Sequence, residues 1–360
     1  MQLRVLDFGF QSAVRSQAVY HGIAEAMGPD DEPVLTLVNP DDPYVCVGLH
    51  QEIALEVDEA YCREQNLPII RRHVGGGSVY LDREQMFFHF IYPAGRAPRF
   101  VSRIFEHFID PVIATYQDLG VNATFRPVND IHVDGRKIGG TGAATIGDAT
   151  VMVGSFMFDF DVDTMARCLK VTSEKFHDKL RAGMNDYITT LKRELGEAPS
   201  REAVREAFLA RIGESLGVEV VPDEPTAAEQ ASIAEQEEAL QDPEWTYQKG
   251  RKFVDMGVKI AAGTHLTEGA HKAEGGLIRA QLLEKDDVID DLLLSGDFTV
   301  FPEDAMERLA DVLKGEGLND ATALEAVIHG QLEVLAADIP GVTAGDIATA
   351  ILACRHSEPH

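Results

Sequence analysis

The sequence predicts an α+β chain in two domains, residues 1–241 and 242–360. Three observations predict it. Short apolar runs bounded by turn residues alternate with helix-period segments over the first part of the chain. A Glu-, Gln- and Ala-rich stretch at residues 226–240 follows, and from Trp245 onward the pattern becomes a compact set of strands and then helices. The length, 360 residues, also exceeds one ordinary domain.

In chain order, residues 1–66 read as a strand, a helix and two more strands. Ala13, Val14, Ala18, Ile23, Ala24 and Met27 give residues 11–27 a helical period, and Gly28-Pro29-Asp30-Asp31-Glu32-Pro33 ends it in a turn. Residues 34–38 and 44–48 read as strands and 58–65 as a short helix. Leu67-Pro68-Ile69-Ile70 and residues 86–92 read as buried strands. Residues 101–120 carry Phe105, Phe108, Ile109, Val112, Ile113, Tyr116 and Leu119 on one face, which is a core face. Ile131-His132-Val133, the turn pair Asp134-Gly135 and Lys137-Ile138 form a hairpin. Residues 149–158 read as a long strand, 163–169 begin a helix, and 203–216 are an amphipathic helix. Residues 226–240, with six Glu or Gln, read as an exposed helix or linker. In the second domain residues 258–262, 277–283 and 288–294 read as strands, and 301–313, 321–335 and 343–354 as helices.

Composition narrows the function classes. The net charge is −28, from 60 acidic and 32 basic residues, which argues against a general nucleic-acid or anionic-membrane binder. No apolar run approaches the ~20 residues that span a bilayer, and Met1-Gln2-Leu3-Arg4-Val5-Leu6-Asp7 is no signal peptide. A cytoplasmic protein is expected. The four cysteines, Cys46, Cys62, Cys168 and Cys354, form no CxxC pair and fit neither a zinc site nor a disulfide framework; they read as small buried hydrophobes. His265, His271 and His329 share no metal-ligand spacing. Lys170, Lys175, Lys179 and Arg181 are the one basic cluster, either a solvated face or a docking patch.

Two stretches suggest chemistry. In Arg71-Arg72-His73-Val74-Gly75-Gly76-Gly77-Ser78-Val79-Tyr80, two arginines precede three glycines and a strand. Glycines let a backbone approach a ligand, their N–H groups can hold an anion, and arginine suits carboxylate or phosphate. A plain hairpin turn with a basic flank is the alternative, since the stretch matches neither common nucleotide fingerprint. The second stretch, Asn129-Asp130-Ile131 through Gly135-Arg136-Lys137-Ile138 to Gly140 and Gly142, again sets small residues beside a lysine.

The order of these residues resembles the lipoate–protein ligases, relatives of the biotin ligases. Asp242-Pro243-Glu244-Trp245-Thr246-Tyr247-Gln248-Lys249-Gly250 resembles the signature leading into that family's accessory domain, and Gly296-Asp297-Phe298 resembles that domain's end. The resemblance implies mixed and antiparallel sheets flanked by helices in a catalytic domain, with a smaller α+β accessory domain. It implies activation of lipoate or octanoate by ATP to an acyl-adenylate, with pyrophosphate release, and transfer to a lysine of a carrier protein. Lys137 is then the catalytic residue, reaching both the acyl carbonyl and the phosphate. Arg72, Gly77, Ser78, Val79, Tyr80, Asn129, Asp130 and Lys137 correspond to the ATP site. His73, Val74, Gly75, Gly76 and Lys137 correspond to the lipoate site, with an apolar pocket from the strands around Val79, Phe88 and Val153. Asp130 is the candidate Mg²⁺ ligand. Leu81 and Val153 stand where many relatives have histidine, which bears on the choice between lipoate and octanoate. Expected partners are lipoyl carriers: dehydrogenase acyltransferase subunits, the glycine-cleavage H protein or H-protein-like lipoate-binding proteins. The protein itself is expected to be a monomer. A transferase working from a carrier thioester, or a biotin ligase relative, is the alternative; the first needs a nucleophilic cysteine, for which Cys168 is the one candidate.

Overall fold

The computed structural model describes residues 1–171, 174–248 and 264–356; the side chains of residues 174–176, 264, 265 and 356 are not among those described. The strand expected over residues 258–262, with Lys249 and Gly250 of the signature, lies outside the described residues, as does the side chain of Lys175. The chain divides into two units. Unit 1 comprises Met1–Val47, Leu55–His73 and Ser78–Thr246; unit 2 comprises Gly48–Ala54, Val74–Gly77 and Tyr247–His360.

Unit 1 is built on an eight-stranded mixed sheet in the order β11-β1-β2-β6-β10-β9-β8-β7. Its strands are β1 (Gln2–Gln11), β2 (Val34–Pro40), β6 (Gln85–Pro93), β7 (Thr124–Arg126), β8 (Asp130–Val133), β9 (Arg136–Ile146), β10 (Ala149–Met157) and β11 (Glu219–Pro222). The pairs β1–β2 and β1–β11 are parallel, and the pairs from β2 to β7 are antiparallel. A second, three-stranded sheet has the order β4-β3-β5, from β3 (Tyr44–Val47), β4 (Ile69–Arg71) and β5 (Val79–Leu81).

The helices α1 (Ala13–Ala26), α4 (Val101–Asp118) and α8 (Arg201–Leu216) supply the core partners of the large sheet. On one sheet face the rings of Phe88, Phe90 and Phe156 pack with Phe108 of α4 and Phe208 of α8 at centroid separations of 4.8 to 6.1 Å. These apolar and aromatic residues explain why the period of α4 was legible: its buried side chains include Phe105, Phe108, Ile109, Val112 and Tyr116.

Residues 226–240, expected as an exposed helix or linker, are a helix that is largely exposed but buries part of one face. They form α9 (Ala227–Ala239), opened by a capping box between Thr226 and Glu229, and bury Glu229 and Ile233. A Cβ added at Gly22 of α1 would lie 2.5 Å from the Cα of Ile233, so the glycine is what lets the two helices approach. Among the described residues of the first 246 the other α-helices are α6 (Glu174–Tyr187) and the short α2 (Ile53–Glu56), α3 (Glu59–Glu64), α5 (Val162–Cys168), α7 (Leu191–Leu195) and α10 (Pro243–Thr246).

Unit 2 holds a three-stranded antiparallel sheet, β12 (Thr264–Ala273), β13 (Gly276–Lys285) and β14 (Val288–Gly296), with α11 (Ala305–Val312), α12 (Ala321–Val334) and α13 (Ala344–Ala353). Ile278, Leu282, Leu294, Leu309, Ile328 and Ile351 form its core. β12 escaped the sequence pattern because its run Thr264-His265-Leu266-Thr267-Glu268-Gly269 is polar and interrupted by glycine. That glycine has a reason: a Cβ at Gly269 would sit 2.5 Å from the carbonyl oxygen of Ala350 on α13. His271 bonds Asp346 at 2.9 Å and His329 lies exposed beside Glu333, so both are structural or surface residues as expected.

Candidate functional site

The hairpin of β8 and β9 turns at Asp134 and Gly135, both at positive φ, as the Asp-Gly pair requires. Its register places His132 opposite Lys137 and Asp130 opposite Gly140. Paired residues share a face, so Asp130, His132 and Lys137 gather there while Ile131 and Ile138 turn to the core. Lys137 Nζ donates to Asp130 Oδ1 at 2.7 Å, and His132 Nε2 is 3.6 Å from Asp130 Oδ2. A Cβ at Gly140 would stand 3.0 Å from Lys137 Nζ, so a larger residue there would crowd the amine. Asn129 spans the hairpin base: its Nδ2 donates to Thr141 O at 2.6 Å, and Thr141 Oγ1 donates to Asn129 O at 3.0 Å.

A later segment holds this hairpin in place. Thr189 N–H donates to Lys137 O at 2.9 Å, and the Tyr187 hydroxyl, at the end of α6, lies 3.3 Å from His132 Nε2. Burial, together with the nearby Asp130 carboxylate, raises the Tyr187 phenol above its ordinary value. His132, Thr141 and Tyr187 were not among the expected site residues. Strand alternation from Asp130 pointed to His132; nothing local pointed to Tyr187.

The arginine segment is the second cluster of unit 1. Arg72 leans over β3, its Nη1 donating to Cys46 O at 3.4 Å. His73 is stacked on both faces, by His21 of α1 at 3.5 Å and by Trp245 of α10 at 4.0 Å between centroids. Both faces of the His73 ring are therefore covered. Ser78 lies part-buried and Val79 exposed at the start of β5, while Tyr80 is buried with its N–H 3.1 Å from Met165 Sδ. Burial pushes the Tyr80 phenol well up.

Val74, Gly75, Gly76 and Gly77 fall in unit 2. There Val74 is fully buried and Gly76 N–H donates to Phe298 O at 3.2 Å. A Cβ at Gly75 would lie 2.5 Å from the same carbonyl oxygen. The chain's own backbone thus requires glycine at position 75.

Of the strands expected to form the apolar pocket, those around Phe88 and Val153 present these two side chains on different faces. Phe88 pairs with Gly154, and Val153 pairs with His89 and Gly142, so the two side chains point to opposite sides of the sheet. Phe88 is committed to the aromatic core.

All four cysteines are buried. The neighbouring Cys62 thiol and burial push the Cys168 thiol well above its ordinary range. Such a thiol is a poor nucleophile. Asp130 offers the hard oxygen donor that Mg²⁺ takes. One of its oxygens accepts from Lys137, however, and among the described residues no group of three metal-ligating side chains occurs. In the basic cluster, Arg181 pairs with Asp163 across α5 and α6. Among the described residues no helix is long and apolar enough to cross a membrane.

Comparison with known proteins gives the family and the fold. Lipoate-protein ligase LplJ of Bacillus subtilis is 28% identical over 302 residues, covering 81% of this chain and 87% of that protein. Octanoyltransferase LipM of Kyrpidia tusciae is 25% identical over 272 residues, covering 68% of this chain and 98% of that protein. The solved bipartite lipoate protein ligase of Thermoplasma acidophilum, studied with its E2 lipoyl domain, superposes with a TM-score of 0.63 at 24% identity, covering 69% of this chain and 96% of that one. Residues 13–213 match the profile of the lipoyl protein ligase A/B catalytic domain. With more than half its length in that match, the chain belongs to the lipoyl protein ligase A/B catalytic domain family.

Proposed function

We propose that this protein joins lipoate, or octanoate, to a specific lysine of a lipoyl carrier protein at the expense of ATP. The acyl carboxylate attacks the α-phosphate of ATP, forming a mixed anhydride and releasing pyrophosphate. The carrier lysine then attacks the anhydride carbonyl, AMP leaves, and the amine gives up its proton.

The observation that carries this reading is the Lys137–Asp130 pair at 2.7 Å on a glycine-flanked hairpin. Lys137 is partly exposed and has small residues beside it, so substrate oxygens have room to approach its ammonium group. Exchanging Asp130 for a phosphate and an acyl oxygen puts positive charge where negative charge develops. His132 and Tyr187 back the carboxylate that Lys137 leaves. Arg72 supplies a second fixed positive charge for the nucleotide, with Ser78, Val79 and Tyr80 along β5 as its backbone neighbours, Asn129 holding the hairpin base and Gly77 at the end of the glycine run. His73, Val74, Gly75 and Gly76 correspond to the lipoate side, where both faces of the His73 ring are covered and Gly75 is held to glycine by Phe298. Mg²⁺ would be carried chiefly by triphosphate oxygens, with Asp130 as its one protein ligand. Residues 1–241 are read as the catalytic domain and 242–360 as the accessory domain.

The similarity to an octanoyltransferase supports a second reading, acyl transfer from a carrier thioester through a cysteine. The burial of every cysteine weighs against it. Lipoate-dependent ATP–pyrophosphate exchange separates the two. Exchange in the wild type that is lost in Lys137→Ala supports the ligase; no exchange, with acyl transfer from a carrier thioester, overturns it.

A further inference from the structure

The segment that carries Arg72 is gripped from two sides. Arg71 is fully buried, and its Nε donates to Thr246 O at 2.8 Å. Trp245 Nε1 donates back to Arg71 O at 2.9 Å. Strand β4 and helix α10 therefore exchange one hydrogen bond in each direction, between residues 174 and 175 positions apart in the sequence. Beyond Arg71, the His73 ring lies between Trp245, at 4.0 Å and 21°, and His21, at 3.5 Å and 25°. Arg71 and His73 thus face α10, and Arg72, between them, faces the other way toward Cys46 on β3.

We propose that Trp245 and His21 are positioning residues for Arg72: they close a clamp on Arg71 and His73 that fixes the direction in which the Arg72 guanidinium meets a phosphate-bearing substrate. The inference rests on the reading of Arg72 as a nucleotide contact. Its physical basis is rotational. An arginine side chain has several rotatable bonds, and a forked contact to phosphate is worth most when its root is held still. Arg72 stands on a short exit from β4 whose two neighbours are both tied to α10, and His73 to α1 as well, so its backbone cannot turn without breaking a ring stack or a hydrogen bond. The clamp touches neither Lys137 nor Asp130 in the hairpin cluster, so its loss should weaken substrate capture more than the chemical step. A hydrogen-bonding indole between an arginine carbonyl and an imidazole also serves as a probe: Trp245 is the one tryptophan of the chain.

The test uses the full-length protein and lipoate-dependent ATP–pyrophosphate exchange, with KM for ATP and kcat measured separately. Trp245→Phe keeps an aromatic face and loses the N–H; Trp245→Ala loses both; His21→Ala removes the other side of the stack; Arg72→Ala is the reference. The expected result is a rise in KM for ATP of about tenfold or more in Trp245→Ala and His21→Ala, with kcat within about threefold. Trp245→Phe should recover part of that loss. In the wild type, tryptophan emission should change saturably with ATP, at a midpoint tracking KM. A KM for ATP that rises in Arg72→Ala and stays at the wild-type value in both Trp245→Ala and His21→Ala overturns the clamp and leaves the ligase reading intact. A fall in kcat at constant KM, the mark of a smaller folded fraction, also overturns it. A wild type without exchange overturns the ligase reading and this inference together.

Discussion

Gly22→Ala tests the packing that brings α1 against α9. In most exposed helices this substitution stabilises by about 1 kcal/mol, because alanine loses less backbone freedom and suits the helix better. Here the new methyl would lie 2.5 Å from both the Cα and the N of Ile233 and 2.9 Å from its Cγ1. Carbon atoms rest at about 3.5–4.0 Å, so the overlap is about 1 Å. The two nearest atoms belong to the backbone, so no rotamer change relieves the contact and the helices themselves must part. Overpacking of this kind costs about 1–3 kcal/mol, and it outweighs the propensity gain. A net loss of about 1–2 kcal/mol is expected.

Urea unfolding measures it, with Trp245 emission as the probe, since the one tryptophan lies in unit 1 and follows that unit's transition. The companion Ile233→Ala removes a fully buried side chain and should cost about 2–5 kcal/mol alone. It should leave most of the Gly22→Ala penalty in place, because the backbone contacts remain. A Gly22→Ala protein more stable than the wild type by about 1 kcal/mol, the propensity value, would refute the close approach of the two helices.

Three further outcomes are expected. Burial holds His21 down at about 4 and His89 at about 3, against 6.5 in the unfolded chain; a hydrogen bond donated by the His21 ring to the Gln236 side chain opposes the shift at His21, where Glu25 also lies 3.9 Å away. As pH falls below 6.5 the unfolded chain takes up protons that the folded one refuses, so stability is present above 6.5 and is lost as pH falls toward 4 and then 3. At about 1.4 kcal/mol per pH step, His21 alone is worth about 3 kcal/mol, and urea midpoints from pH 7 to pH 4 should fall accordingly; a flat profile would count against the buried, neutral histidines. Cys168→Ser should leave exchange and acyl transfer within about twofold of wild type, measured with a lipoyl carrier, and a loss of a hundredfold or more would revive the thioester route. Gly75→Ala, whose methyl would meet the Phe298 carbonyl at 2.5 Å, should destabilise unit 2 by about 1–3 kcal/mol. Hydrogen exchange at β13 and β14 reads that loss, and unchanged protection would speak against the contact.

The strands that were legible in the sequence are those whose side chains do one thing. β2, β6 and β10 are apolar runs between turns, and the Asp134-Gly135 hairpin was readable because its turn demands positive φ at both residues. α4 was legible from one broad aromatic face. β12 was not, because its glycine and polar residues serve a helix crossing over it, which is a tertiary demand. α9 was read as an exposed helix or a linker, and its buried face was not seen: its Ala and Glu content is that of a surface helix, and the residue that lets it bury Ile233 is Gly22, more than two hundred positions earlier. At the site, Asp130 and Lys137 lie close in sequence and their pairing could be anticipated from the hairpin. The stack of His21, His73 and Trp245 joins three distant segments, so no local pattern encodes it. Gly75 was read for its openness to a ligand, whereas its immediate neighbour is a carbonyl of the protein itself.

The place of β1 in the large sheet, between β2 and the edge strand β11, sets an order on synthesis. β1 is hydrogen-bonded on one side to β2, which follows at once, and on the other to β11, with Gln2 reaching Glu219 across 217 residues. Arg4 waits longer still, for Asp223 and Glu229. At the roughly 5–20 residues per second of a ribosome, that interval lasts about 10–40 s. During it the nascent chain carries an open strand edge and an arginine whose carboxylate partners have not yet been made. An unpaired edge is a template for other chains. Translation speed and chaperone cover, more than the final stability, should therefore govern the yield of this protein in a foreign host, and a circular permutant that begins at β11 should shorten the exposed interval.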